Sequence, residues 1–222
     1  MGEVVSAPGV TAALQGVVGI GVLLAEFAML RSLLVEAIVR IYAIQSLLVA
    51  AFTGVVAWRA GVPDLYVLAA VAFAVKVVAI PLVVNAILRR LGGEDRIPAT
   101  VPVPRSFLVA VALGALAFAL VLGLGLSTGA ASGLGVGVVM LLIGLFMITA
   151  RANAVAQLVA FLSLENGVFL ASITLAPGLS LIVAVLLVLD VLIPVVAFIL
   201  VIRLLAARRH SLHTMELTDL RG

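Results

Sequence analysis

The sequence predicts an all-α, polytopic membrane protein with seven transmembrane helices, an outside N-terminus and a cytoplasmic C-terminus. Of its 222 residues, 65% are hydrophobic and only 10% are charged, whereas soluble domains are about 45–50% apolar and about 25% charged. Apolar runs of about 20 residues, the length that spans a bilayer as a helix, follow one another along the chain. The arginines cluster in alternate connections between these runs.

Each apolar run is expected to form one span, and short turns separate most of them. The predicted spans are Val10–Leu30, Leu33–Trp58, Leu65–Leu88, Ser106–Leu126, Gly133–Ala150, Asn153–Ala176 and Leu179–Leu205. Arg31-Ser32, Gly61–Asp64 and Pro177-Gly178 are turns. The one substantial linker, residues 92–105, is rich in Pro, Gly and charge. It divides the chain into a three-helix part (1–91) and a four-helix part (106–222) with a short tail.

The distribution of arginine predicts the orientation. One side collects Arg31, Arg89, Arg90, Arg96, Arg105, Arg151, Arg208, Arg209 and Arg221. The other side has only Arg59. By the positive-inside rule the first side is cytoplasmic, which requires an odd number of spans. The high pI of 10.2 therefore indicates orientation rather than a nucleic-acid partner. The start MGEVVSAPGV lacks a basic n-region, so we expect no cleavable signal peptide and a multi-pass protein of the cell (inner, cytoplasmic) membrane.

Three ionisable residues, Lys76, Glu165 and Asp190, fall near the middle of the third, sixth and seventh predicted spans. Each costs about 2.5–3.5 kcal/mol on insertion scales. Pro81 and Pro194 follow the first and last of them and cannot donate to the carbonyl four residues back. Such carbonyls need other partners, often water. The pattern predicts a hydrated proton or ion path. The alternative is that a lysine and a carboxylate neutralise each other and only bind helices together.

Other polar residues form a candidate secondary path, namely Glu36, Arg40, Tyr42, Gln45 and Asn166. Glu36 and Arg40 are spaced i, i+4 near the start of the second span, which suits either an interfacial ion pair or a transport role. The amide and hydroxyl groups that follow them can also bond a neighbouring helix. Glu26, near the cytoplasmic end of the first span, is within reach of the same region.

The sequence favours no cofactor or metal on this chain. It contains no cysteine, which excludes disulfides, iron–sulfur clusters and thiolate metal sites here. His210 and His213 lie in the tail, where a solvated pair is expected rather than a metal site. No phosphate-binding loop or Ser–His–Asp arrangement is present. Gly133 and Gly137 form a small-xxx-small pair that favours close helix packing.

Several segments resemble the component E membrane subunit of formate hydrogenlyase-type and related group 4 nickel–iron hydrogenase complexes. They are Tyr42–Ala50, Ala74–Leu82, Phe161–Ala171, Leu189–Val196 and the tail Ser211–Gly222. The region Gly133–Gly222 is also similar to the small K subunit of respiratory complex I, which carries carboxylates in its second and third spans. Asp190 stands at the place of the second of these, and Glu165 stands about one helical turn from the place of the first. Many component E sequences have a glutamate where this chain has Ala184.

The resemblance implies a non-catalytic membrane-arm subunit of a complex I-like oxidoreductase. Its partners would be antiporter-like and anchor subunits and a peripheral hydrogenase-like module, with the nickel–iron site and iron–sulfur clusters on those partners. Glu165 and Asp190 would bind and release protons (or the path would carry sodium), and Lys76 would tune the carboxylates by its charge. Ala184 leaves the acidic path shorter than in many relatives. A purely structural anchor and a free-standing small transporter are the alternatives.

Overall fold

The computed structural model of this chain describes residues 8–91, 97, 100–178, 185, 188–189, 192–193 and 196. Its helical elements are α1 (Pro8–Arg31), α2 (Val35–Ala60), α3 (Asp64–Ala72), a π-helix (Phe73–Ala79), α4 (Ile80–Leu91), α5 (Val103–Leu122), α6 (Thr128–Ala150) and α7 (Ala154–Leu175). Within the described residues, six helices are long and apolar enough to cross a membrane; α3, the π-helix and the start of α4 together form one of them. The predicted class, an all-helical polytopic membrane protein, is confirmed.

The seventh predicted span, Leu179–Leu205, falls largely outside the described residues. Those of its residues that the structure describes, 185, 188, 189, 192, 193 and 196, are helical. The count of seven spans and the orientation of the termini therefore stay predictions.

Three predicted boundaries of the fourth and fifth spans were wrong. The fourth span begins at Val103 rather than Ser106, because Pro104 fits the first helical turn, where its missing N–H is not needed. It ends at Leu122, and the left-handed Gly125 (φ 63°) lies in the connection that follows. The fifth span then begins at Thr128, earlier than the predicted Gly133. The connection between these spans comprises residues 123–127.

Other helix ends follow from local sequence. Gly61 adopts φ 66° directly after α2, the left-handed conformation that glycine allows at a helix C-terminus. Asn153 caps the start of α7, since its side chain accepts hydrogen bonds from the backbone N–H groups of Val155 (2.9 Å) and Ala156 (3.2 Å). The turn predicted at Gly61 is thus present.

The third span contains a π-helix just before Pro81, the proline expected to leave a backbone carbonyl without its usual donor. The N–H of Ile80 donates to the carbonyl of Val75, five residues back, instead of the usual four. Pro81 has no N–H, and its ring would clash with the carbonyl of Val77 in a regular α-helix. The wider turn relieves this conflict, and Lys76 lies within it.

The helices pack as one bundle that joins the two parts of the sequence. α6 and α7 are in close contact, α1 packs against α2 and α6, and α2 packs against α7. The close approach of α6 to α7 depends on glycine, since a Cβ on Gly137 would lie 2.7 Å from the carbonyl oxygen of Gly167. A Cβ on Gly133 would lie 2.6 Å from Thr174 Oγ1. The predicted close packing at Gly133 and Gly137 is confirmed.

Two ends of the bundle can be distinguished by their polar contacts. At the Arg31 end, the Ile97 N–H donates to the Leu33 carbonyl (2.7 Å) and the buried Arg151 guanidinium donates to the Leu30 carbonyl. Burial lowers the pKa of Arg151. At the opposite end, which we call the Arg59 end, Arg59 Nη1 donates to Gln15 Oε1 on α1 at 2.9 Å.

Candidate functional site

A buried set of polar side chains links α1, α2, the π-helix and α7. We call it the polar network, and it comprises Glu26, Gln45, Ser46, Lys76, Ser163, Glu165 and Asn166. These groups lie between apolar helices, where each unpaired polar atom is costly. Their hydrogen bonds therefore hold the helices together.

Lys76 is the centre of the network. Its side chain is 2% exposed, and its ammonium lies 2.9 Å from Glu165 Oε2 and donates to Asn166 Oδ1 at 2.8 Å. The same ammonium lies 5.6 Å from the centre of the Phe169 ring, within cation–π range. All three contacts come from one turn of α7. The lysine thus ties the π-helix to α7 with an ion pair.

Three consecutive residues of α7 point in different directions because an α-helix turns by about 100° per residue. Glu165 meets Lys76, and Asn166 donates from Nδ2 to Ser46 Oγ on α2 at 3.1 Å. Gly167 lies against the backbone of α6, where a side chain would not fit. Glu165 also lines a cleft between α7 and the helical residues Leu189 and Ile193. The carboxylate therefore lies between the buried lysine and this cleft.

A second carboxyl group, Glu26 on α1, is buried completely. Its Oε2 accepts hydrogen bonds from Gln45 Nε2 on α2 and from Ser163 Oγ on α7, the latter at 2.5 Å. Oε1 has no hydrogen-bond partner among the described residues. Glu26 precedes Arg31, the last residue of α1, by about 7–8 Å along the helix axis.

The hydrogen bonds of Glu26 and those of Lys76 are connected through two helices, α2 and α7. Gln45 and Ser46 are adjacent on α2, and the first bonds Glu26 while the second bonds Asn166. Ser163 and Asn166 are three residues apart on α7, which places them on one face of that helix. The chain of contacts runs from Glu26, which meets Gln45 and Ser163 well inside α2 and α7, to Glu165 in the middle of α7.

The structure brings together only some of the residues predicted for the site. Lys76 and Glu165 form the ion pair, and Gln45 and Asn166 belong to the network. Tyr42 is buried one turn from Gln45 on α2.

The other predicted residues are not part of this arrangement. Glu36 and Arg40 lie on the exposed face of α2, and within the described part of the chain they form no ion pair with each other. Asp190, together with Pro194 and Ala184, lies outside the described residues, so its predicted role stays a prediction.

Sequence reasoning assigned no site role to Ser46 and Ser163, and it placed Glu26 only near the membrane surface. Hydroxyls in apolar helices commonly bond their own backbone, as Ser172 does to the Val168 carbonyl at 2.8 Å. The available signal was spacing, because Ser46 is adjacent to Gln45 and Ser163 precedes the Glu165-Asn166 pair. That spacing does not reveal which helix lies opposite.

In comparisons with known proteins, no family model, no curated protein and no solved structure matches this chain.

Proposed function

We propose that this chain is a membrane-arm subunit of a complex I-like, hydrogenase-type oxidoreductase complex in the cytoplasmic membrane, where it carries part of an intramembrane proton (or sodium) path. The observation that carries the ion-path part is the contact chain from Glu26 to the Lys76–Glu165 pair across the bundle interior. Ionisable groups at this depth are retained mainly where they pair or conduct ions. The type of complex is inferred from the resemblance to component E alone.

In this proposal Glu165 and Asp190 take up and release the ion. The positive charge of Lys76, 2.9 Å away, favours the ionised form of Glu165. The cleft beside Glu165, which Leu189 and Ile193 line from the other side, provides the way toward the last span. Seven spans and a cytoplasmic C-terminus belong to the same proposal.

The redox chemistry is assigned to other subunits. No cysteine is available as a ligand for a nickel–iron or iron–sulfur centre on this chain. Among the described residues, no group of three or more His, Asp or Glu is arranged to hold a metal ion. Antiporter-like and anchor subunits would continue the polar path, and a peripheral hydrogenase-like module would supply the electrons.

A structural anchor is the second candidate, and one observation favours it. Lys76 is paired with Glu165, Asn166 and the Phe169 ring at once, as expected for a group that binds helices together. A free-standing small transporter is the third candidate, which isolation of a monodisperse single chain in mild detergent would favour.

Conservative substitutions of the carboxylates distinguish a path from an anchor. A positioned proton-transfer group contributes about 100-fold or more to a rate. We therefore expect Glu165→Gln and Asp190→Asn to lower coupled ion flux at least about tenfold in proteoliposomes that contain the intact complex. Asp64→Asn, a carboxyl-to-amide change at an exposed site in the first turn of α3, is the matched control and should leave the flux unchanged.

The subunit composition of each variant complex is measured alongside. Unchanged flux in both carboxylate variants, with the complex intact, would rule out the path and leave the anchor.

A further inference from the structure

Glu26 has the surroundings of a proton-binding group. Its side chain has no exposed surface, and among the described residues no cation forms an ion pair with it. An ionised carboxylate in such a place costs several kcal/mol even after relaxation. A bound proton removes that cost.

The hydrogen bonds of Glu26 leave room for a proton. Gln45 and Ser163 both donate to Oε2, so a proton on Oε1 breaks neither bond. Oε1 has no partner among the described residues. Loading transfers one proton from water at the membrane surface to Oε1 and changes the charge of the site by one unit. Release reverses the transfer, and the two donors remain in place to stabilise the carboxylate.

The geometry disfavours a metal cation at the same place. Ser163 Oγ and Glu26 Oε2 are 2.5 Å apart, a distance typical of an O–H···O hydrogen bond. Two adjacent oxygens that bind even the small Mg²⁺ ion lie roughly 3 Å apart. Gln45 also presents its N–H group to the carboxyl rather than its carbonyl oxygen. A sodium ion bound at Oε2 would require the contacts of Ser163 and Gln45 with this oxygen to be rebuilt.

The titratable side chains on the elements packed against α1 are few. Tyr42, Glu36, Arg40 and Arg59 lie on α2, Arg105 lies in the first turn of α5, and Glu165 lies on α7. α6 contains none. Glu36, Arg40 and Arg59 are exposed, so the titratable side chains that share the bundle interior with Glu26 are Tyr42, Glu165 and its partner Lys76. The buried Arg151 contacts the end of α1 at the Leu30 carbonyl.

From these contacts we propose that Glu26 is a second proton-binding carboxyl of this chain, coupled to the Lys76–Glu165 pair through Gln45-Ser46 and Ser163–Asn166, and that the ion carried is a proton rather than sodium. This inference rests on the proposed ion path.

Infrared difference spectroscopy of the purified complex tests the proposal. Spectra recorded while the buffer alternates between acidic and alkaline pH should contain a carboxylic C=O band that shifts in D₂O. The band should be lost in Glu26→Gln and kept in Asp64→Asn, the matched change at an exposed carboxyl. Ser163→Ala keeps the carboxyl but removes one of its two hydrogen bonds, so it should move the band to higher frequency. Replacing choline by sodium at constant pH should leave the band unchanged.

Two results would overturn the inference: a band that persists in Glu26→Gln, or a band that disappears when sodium is added. If Glu26→Gln fails to assemble, the band shift in Ser163→Ala decides alone, and an unshifted band rejects the proposal. The two proposals can be rejected separately. Normal flux in Glu165→Gln and Asp190→Asn would reject the ion path but would leave the infrared assignment of Glu26 in place. Impaired flux in those two variants, without an infrared band assigned to Glu26, would reject only the Glu26 site.

Discussion

At the residue scale, the Lys76–Glu165 ion pair links the third span to the sixth. A lysine has three N–H donors on a flexible stem, and here Asn166 and Glu165 engage this ammonium together. Removing one partner of a buried pair leaves the other charge uncompensated, which is far more costly than replacing both by apolar groups.

Lys76→Met should therefore lower the free energy of unfolding by about 3 kcal/mol, because Glu165 would remain buried without its cation. The free energy can be measured by denaturant titration in mixed micelles. The double variant Lys76→Met with Glu165→Leu should regain most of this loss, since neither charge is left. A double variant as unstable as the single one would show that the pair contributes little to helix association.

At the element scale, the glycines of α6 and α7 set the distance between these helices. Gly137 and Gly167 lie against each other's backbone, and Gly144 lies against Leu164. In a membrane no hydrophobic force drives helices together, so close backbone contact and interhelical hydrogen bonds provide much of the association. Gly167 directly follows Asn166, and the packing of α6 therefore fixes the orientation of the polar residues on α7.

We expect Gly137→Ala to destabilise the bundle by about 1–3 kcal/mol, because its Cβ would lie 2.7 Å from the Gly167 carbonyl oxygen and α6 and α7 would have to separate. Thermal denaturation in detergent measures the effect. Gly54→Ala on α2 is the matched control, since its Cβ would meet nothing within 4 Å. It should be neutral or stabilising by up to about 1 kcal/mol. Equal stability of both variants would contradict the close packing of α6 on α7.

The π-helix also affects the placement of side chains at the scale of the helical elements. It extends over Phe73–Ala79, just before Pro81, and includes Lys76. The extra residue in the turn changes the direction in which the following residues project. The proline therefore influences the position of the ammonium without touching it.

At the scale of the whole molecule, the contacts at the two ends agree with alternation of the spans. The Thr100 N–H donates to the Ala150 carbonyl at 3.1 Å, so Thr100 lies beside the end of α6, while Arg59 meets Gln15 at the opposite end. The sequence assigns the first end to the cytoplasm because it holds most of the arginines.

Single-cysteine labelling in whole cells tests this topology, and the chain has no native cysteine to interfere. A membrane-impermeant thiol reagent added outside should label Ser127→Cys but neither Thr100→Cys nor Ser211→Cys. Protection at residue 211 requires an odd number of spans, as seven provides. Labelling of Ser211→Cys from outside would contradict the seventh span, because six spans would place the tail outside the cell.

The class of the protein, the existence of the described spans and the charges at Lys76 and Glu165 could all be predicted from the sequence. Apolar length, turn residues and arginine bias are local signals, and a bilayer makes them decisive because every spanning segment must satisfy its own backbone hydrogen bonds. Lys76 and Glu165 stood out for the same reason, since a charge in an apolar run is costly wherever it lies.

Which polar residues contact one another follows from the packing of the helices in three dimensions. Glu26, Gln45 and Ser163 come from three different helices, and their contact depends on the rotation and spacing that the glycines of α6 and α7 allow. Hydrophobic periodicity gives little guidance to that rotation, because helices in lipid are apolar on all sides. Lys76, which pairs with Glu165, likewise lies in a π-helix, whereas Pro81 in the sequence indicates only a carbonyl without its usual donor.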